Sequence, residues 1–204
     1  MSAKLIWSHY CEILWFDDNK LQYYVKITEL NNLSIRQLRE RIKSKEYERL
    51  PEDTKNKIIN QDKSNVVDFV KNPIMIRNND KYDIFTEKVL QKLILEDIEK
   101  FLSELGNGFT FIKSEYPIKL DDRYNYIDLL LYNIKYKCYV VVELKVTELK
   151  KEHTGQIMTY MNYIDKNIKE VSNNNTIGIL ICKRENKFVI EYCSDERIAV
   201  RDMN

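Results

Sequence analysis

Apolar positions recur at helical intervals from residue 3 to about residue 60 and bunch into short strand-like runs from residue 109 onward. In the first region Leu21, Val25 and Leu30 mark one helical stripe. Ser34 is placed to cap the helix "IRQLRERIKSKEYERL", and Pro51 interrupts the pattern. The segment "NQDKSNVVDFVKNPIMIRNNDKYD" mixes polar runs with Pro73, which predicts a boundary there: a helical domain over 1–78 and a second domain over 79–204. The second domain opens with a helix between Ile84 and Leu105, its core face marked by Leu90, Ile94, Ile98, Phe101 and Leu105, and Gly106 stands at its C-terminal cap. Three strands are expected next, Phe109 to Ile118, Tyr124 to Tyr132 and Cys138 to Val146. A helix from about Thr154 to Lys169 follows, and then the strands "TIGILICKR" and "KFVIEYC". Helix, three strands, helix, two strands make an α/β or α+β domain with a central sheet covered by helices.

The chain has 204 residues, 44% hydrophobic and 32% charged, the balance of a globular protein with a proper core. A formal net charge of +1 supplies no bulk attraction for nucleic acid, so any such contact must come from local patches. Cys11, Cys138, Cys182 and Cys193 form no CxxC pair and only His9 and His153 could add imidazoles, so buried thiols are expected rather than structural zinc. The start, "MSAKLIWSHYCEILWF", breaks its apolar run with Ser, His and Glu. It fits neither a signal peptide nor a membrane span, which reads as a cytoplasmic protein.

Charge inside the strands changes this picture. "YIDLLLYNIKYKCYVVVELKV" is nearly all strand-forming, yet it holds Asp128, Glu143 and Lys145. With Ile134 to Lys137 as a hairpin loop, Asn133 faces Cys138, and counting outward sets Asp128 opposite Glu143, with Lys145 on the same face. Carboxylates about 5 Å apart repel by roughly 3 kcal/mol at an effective dielectric near 20. A divalent cation would offset that, and a neighbouring lysine could then hold an attacking water or stabilise charge on a phosphate. Taken alone, Glu-x-Lys on a strand is far more often a solvated face with a mild ion pair.

Asp followed on the next strand by Glu-x-Lys resembles the active-site pattern of the PD-(D/E)xK nucleases. "LSELGNGFTFIKSEYPI", "HTGQIMTYMNYID" and "TIGILICKRENKFVIEY" extend the likeness to the bacterial YhcG-type PDDEXK family, and "IWSHYCEILWFDDNKLQYYVKITELNNLSIRQLRERI" resembles the helical domain that precedes its nuclease domain. The resemblance implies a restriction-endonuclease-like core, a mixed central sheet flanked by helices, preceded by a small all-helical N-terminal domain. It implies Asp128 and Glu143 as ligands of Mg²⁺, for which Mn²⁺ could substitute, Lys145 as the catalytic lysine, and Gln156 as the helix glutamine that reaches a phosphate or the attacking water. Tyr160, one turn on, is a candidate for stacking or hydrogen bonding to the substrate, although a tyrosine at helical spacing is more often core. Many relatives carry an acidic residue where Gln91 stands, while Glu87 lies one turn earlier on the same face, leaving a third carboxylate open.

The expected activity is metal-dependent hydrolysis of phosphodiesters, most naturally in DNA, with RNA left open. The competing reading is a nuclease-fold module of weak activity that binds nucleic acid or protein. Arg36, Arg39 and Lys43, with Arg41, Lys45 and Arg49, read either as an arm that tracks phosphates or as an exposed helix laced with ion pairs to Glu40, Glu46 and Glu48. Cutting both strands of a duplex with one site per chain points to a homodimer through the N-terminal helices, where Trp7, Trp15, Phe16, Tyr23 and Tyr24 offer large apolar surface.

Overall fold

The computed structural model describes residues 5–60, 66–71, 86–193 and 195–202. Two compact units divide between Phe69 and Val70. The boundary expected at residue 79 lies outside the described residues, as does Ile84.

The first unit is helical: α1 (Trp7–Ile13), α2 (Asp18–Asn31), α3 (Ile35–Lys43), α4 (Glu46–Arg49) and α5 (Glu52–Asn60). Its helix starts follow the capping residues. Asp17 accepts from the Lys20 N–H and Ser34 from the Gln37 N–H, and Pro51 stands just before α5. Tyr10, Ile13, Tyr23, Tyr24, Ile27 and Leu38 form the core. The buried stripe of α2 therefore runs through Tyr23, Tyr24 and Ile27, while Leu21 and Val25 are half-buried and Leu30 is exposed. A stripe through Leu30 would leave both tyrosines outside, and the larger rings bury more apolar area. Tyr23 and Tyr24 are consequently not interface surface, whereas Trp7 and Trp15 remain exposed. His9 accepts from the Ile6 N–H at Nδ1 and contacts the Leu33 carbonyl through Nε2 at 3.0 Å, a core histidine with both nitrogens used. Cys11 is exposed, unlike the buried Cys138 and Cys182.

In the second unit, α6 (Glu87–Glu96) and α7 (Ile98–Leu105) replace the single expected helix. The break is at Asp97, whose side chain leaves the helix to accept from the Lys100 N–H and cap α7. Gly106 caps α7 with φ 142, a conformation that L side chains rarely adopt. The sheet has β1 (Phe109–Leu120), β2 (Arg123–Asn133), β3 (Cys138–Glu148), β4 (Ile177–Arg184) and β5 (Ile198–Asp202), side by side in that order. β1, β2 and β3 are antiparallel, and β3, β4 and β5 are parallel.

Parallel neighbours need crossovers, which α8 (Lys151–Asn167) and α9 (Lys187–Cys193) provide. "KFVIEYC" is thus a helix and not the last strand. Asn186 caps it by accepting from the Val189 N–H, Val189 enters the core, and Phe188 and Tyr192 lie exposed with ring centroids 4.9 Å apart. Strand-forming composition loses here to connectivity, and β5 is instead the run Ile198–Asp202.

α8 presses on the sheet at Gly178. A Cβ there would meet Ile157 Cδ1 and Met161 Sδ at 2.8 Å, closer than van der Waals contact allows. Gly178→Val is expected to cost about 3 kcal/mol, the upper end of ordinary overpacking, read as a lowered denaturation midpoint with an unchanged slope.

Candidate active site

The β2–β3 ladder pairs Asn133 with Cys138 and ends at Leu129 with Val142. Continuing that register sets Asp128 opposite Glu143, but the strands part there. In place of the next ladder bond, Asp128 Oδ2 accepts from the Leu144 N–H at 2.8 Å. The carboxylate is thereby pinned against β3 with its other oxygen left for a further partner. On β1, Glu115 stands opposite Asp128, between the pairs Ser114–Leu129 and Tyr116–Ile127, in the left-handed region at φ 46. A non-glycine residue in that region inside a strand is strained, and such strain clusters where a sheet is bent for function.

Glu143 is 1% exposed and its Oε1 has no hydrogen-bond partner among the described residues. Its Oε2 accepts from Lys145 Nζ at 3.4 Å, and the same ammonium lies 3.9 Å from Glu87 Oε2 on α6. Burial, reinforced by repulsion from Asp128 and opposed by Lys145, pushes the Glu143 carboxyl up to about 8. Burial also raises Asp128, with the Leu144 N–H and Lys145 working against it and Glu87 and Glu115 adding repulsion. The solvated-face reading of Glu-x-Lys is therefore excluded, because both side chains are buried.

Gln91 and Glu87 have separate places. Gln91 is buried and its Nε2 donates to the Asp128 carbonyl at 2.9 Å, bracing the strand where the ladder ends. Glu87, half open to solvent, brings the additional carboxylate next to Lys145. Gln156 is half-buried on α8 and its Nε2 donates to the Tyr160 hydroxyl at 2.9 Å, while the Tyr160 ring packs in the core cluster with Ile118, Ile127 and Ile157. In the N-terminal unit Arg36 pairs with Glu40 at 3.2 Å and Arg39 with Glu12 at 2.6 Å, and Lys43 is exposed.

His153 is a neighbour that sequence reasoning weighed only as a zinc ligand. It sits in the first turn of α8, one turn before Gln156, and its Nδ1 accepts from the Lys150 N–H at 3.2 Å. Burial and the nearby Lys145 lower its basicity below that of an ordinary imidazole. The signal was available in its i, i+3, i+7 spacing with Gln156 and Tyr160.

Among the described residues no group of three or more His, Cys, Asp or Glu side chains forms a complete metal cage. Two carboxylates, one with an orphaned buried oxygen, fit the habit of Mg²⁺, which binds one or two carboxylates and completes its shell with water and substrate phosphate.

Residues 67–200 match the family model of the YhcG PDDEXK nuclease domain. The curated protein "Putative nuclease YhcG" of Escherichia coli (strain K12) is 25% identical over 173 residues, covering 78% of this chain and 44% of its own length. The chain thus spans less than half of that relative. Among solved structures, a repair endonuclease from Pyrococcus abyssi covers 60% of the chain and 48% of its own at 20% identity and a TM-score of 0.40. EndoMS in a complex with double-stranded DNA covers 62% and 48% at 19% identity and a TM-score of 0.42. Likenesses this distant carry no weight for substrate or mechanism.

Proposed function

The chain belongs to the YhcG PDDEXK nuclease domain family, and from that premise we propose that it is a metal-dependent nuclease that hydrolyses phosphodiester bonds in DNA. The observation that carries this reading is the buried, partnerless Oε1 of Glu143 beside Asp128 and Lys145. A buried acceptor without a partner costs about 1–3 kcal/mol, and a cation bound there recovers it.

Asp128 and Glu143 would hold one Mg²⁺, with Mn²⁺ as a substitute. When bound, the ion supplies Lewis-acid polarisation of the phosphate and neutralises charge on its oxygens. Lys145, anchored between Glu143 and Glu87, presents a fixed positive charge to the reacting phosphate or its attacking water. Gln156, held by the Tyr160 hydroxyl, keeps its amide in place for a phosphate or that water. The Asp128 carboxylate, fixed by the Leu144 N–H, cannot swing away from the site. Gln91, which stands where many relatives carry an acidic residue, has a structural duty in its bond to the Asp128 carbonyl.

Incubation with labelled linear, supercoiled and branched DNA, with and without Mg²⁺, tests the proposal. Cleavage that requires the metal is expected; no cleavage of any substrate with Mg²⁺ or Mn²⁺ would sink it. Asp128→Asn should weaken Mn²⁺ binding by roughly tenfold or more. Asparagine can keep the Leu144 bond while losing the repulsion with Glu143, so the metal-free variant should melt no lower than wild type, as read by calorimetry.

The reading extends to a cytoplasmic protein, and among the described residues no helix is long and apolar enough to cross a membrane. It extends also to a homodimer through the N-terminal helices, now resting on exposed Trp7 and on Trp15, which is 89% exposed. Light scattering over a concentration series decides this: a mass that stays at 24.6 kDa, with Trp15→Glu changing nothing, removes the dimer.

A further inference from the structure

Past Leu129 the second strand leaves β3 and continues with β1 alone, through the pairs Tyr116–Ile127, Pro117–Tyr126, Ile118–Asn125, Lys119–Tyr124 and Leu120–Arg123. A two-stranded arm therefore starts at the residue that carries the Asp128 carboxylate. Its inner side, Ile118 and Ile127, is fully buried in the core cluster with Ile157 and Tyr160. The alternate positions Tyr124 and Tyr126 face water, 64% and 55% exposed, with no ring partner or side-chain hydrogen bond among the described residues. Most of the other tyrosines have such ties: Tyr23, Tyr24 and Tyr47 stack together, Tyr132 meets Tyr139, and Tyr160 holds Gln156.

Resting on the nuclease reading, we propose that Tyr126 and Tyr124 form a platform for an unpaired stretch of the nucleic-acid strand that flanks the scissile phosphate. The first ground is continuity. Same-side residues on a strand are about 7 Å apart, so Tyr126 and Tyr124 stand roughly 7 and 13 Å along β2 from Asp128, on the same side of the strand as its carboxylate. The second is chemistry. Every base has a π-face, and exposed aromatic rings bind single strands without needing a particular sequence. The third is spacing. Bases in a duplex stack about 3.4 Å apart, whereas rings about 7 Å apart suit bases that have come out of the stack. Lys119, across from Tyr124 on the same side, is exposed and gives the backbone a positive charge. Asp121 and Asp122 at the hairpin turn are exposed and acidic and mark where the path ends.

Fluorescence anisotropy of the whole chain in EDTA, with a fluorescein-labelled oligo-dT strand and a blunt duplex of equal length as probes, tests the platform. Tyr126→Ala and Tyr124→Ala should each weaken oligo-dT binding by roughly 5- to 150-fold, the range measured for removing one base–aromatic stack, and reduce the preference for oligo-dT over the duplex. Tyr126→Phe should bind oligo-dT as wild type does. The single-strand platform is overturned by wild-type oligo-dT affinity in both alanine variants with normal circular dichroism. An equal loss on the duplex, or no binding of oligo-dT by the wild type, overturns it as well. Cleavage with Mg²⁺ is scored separately. Tyrosine-dependent oligo-dT binding without cleavage by wild type keeps the platform and sinks the nuclease, and cleavage with tyrosine-independent binding does the reverse.

Discussion

Glu143→Ala and Lys145→Ala should each reduce DNA cleavage by roughly 10²–10³-fold or more, with the far-ultraviolet circular dichroism unchanged. Glu143 lies inside β3, where its Oε2 makes a long contact to Lys145 and its Oε1 has no hydrogen-bond partner among the described residues. Its burial is a poor use of a carboxylate for stability and a sensible one for holding a cation, because the same low-dielectric surroundings that penalise the lone charge strengthen its attraction for a divalent ion. Glu143→Ala removes that attraction along with a buried carboxyl that ionises only at a cost without metal, so the metal-free fold should survive. Lys145→Ala leaves the carboxylates in place but removes the ammonium held between Glu143 and Glu87, so Mn²⁺ binding should persist while turnover is lost. The two variants are thus separable by titration calorimetry with Mn²⁺: one loses metal and rate, the other rate alone. Wild-type turnover in either well-folded protein would show that the chemistry lies elsewhere.

Glu46→Ala should destabilise the N-terminal unit by about 3–5 kcal/mol, the cost of breaking a buried ion pair from one side. Glu46 Oε1 accepts from Arg41 Nη1 at 2.7 Å and from the Tyr23 hydroxyl at 2.9 Å, beneath a cluster in which Tyr23 meets Tyr24 and Tyr47 at ring distances of 5.1 and 5.3 Å. Burial and the charge of Glu46 push the pKa of the Tyr23 hydroxyl well above the usual tyrosine range, so it stays protonated and acts as a fixed donor. Truncating Glu46 strands that hydroxyl and leaves Arg41 largely buried without its counter-charge. Urea unfolding followed by far-ultraviolet circular dichroism, which reports on the helices of this unit, should show the early loss, with Glu46→Gln losing less because its amide oxygen still accepts from both donors. A midpoint within error of wild type for Glu46→Ala would mean that the pair contributes nothing net. Arg41 is accordingly not free to track phosphates, and Arg36 and Arg39 also have carboxylate partners.

Much of the site could be read from the chain because it depends on local geometry. A short loop after Asn133 sets the hairpin register, and alternation then carries Asp128, Glu143 and Lys145 to one side. Ser34 and Gly106 announced their helix ends for equally local reasons. The errors arose where composition competed with something distant. "KFVIEYC" is rich in strand formers, yet two parallel strands had to be joined there, and Asn186 offered a cap. Asp97 broke a helix whose apolar spacing continued without interruption, since a side chain that can cap the next turn competes with the helix it sits in.

By itself, then, the sequence determined the element order outside the last crossover and the break at Asp97, the cross-strand register and the placing of three charges on one face of two neighbouring strands. Those follow from periods of two and 3.6 residues and from loop length, which a chain carries wherever it folds. Only the tertiary structure decided how deeply Glu143 is buried, that Glu87 brings a carboxylate to Lys145 while Gln91 braces the Asp128 carbonyl, and that Tyr124 and Tyr126 stay in water while Tyr23 and Tyr24 do not. Burial and long-range pairing depend on which surfaces other elements cover, and α6, α8 and the β1–β2 arm meet the site from segments up to about forty residues away on either side of Asp128. No pattern within a single segment encodes what a separate one will press against it.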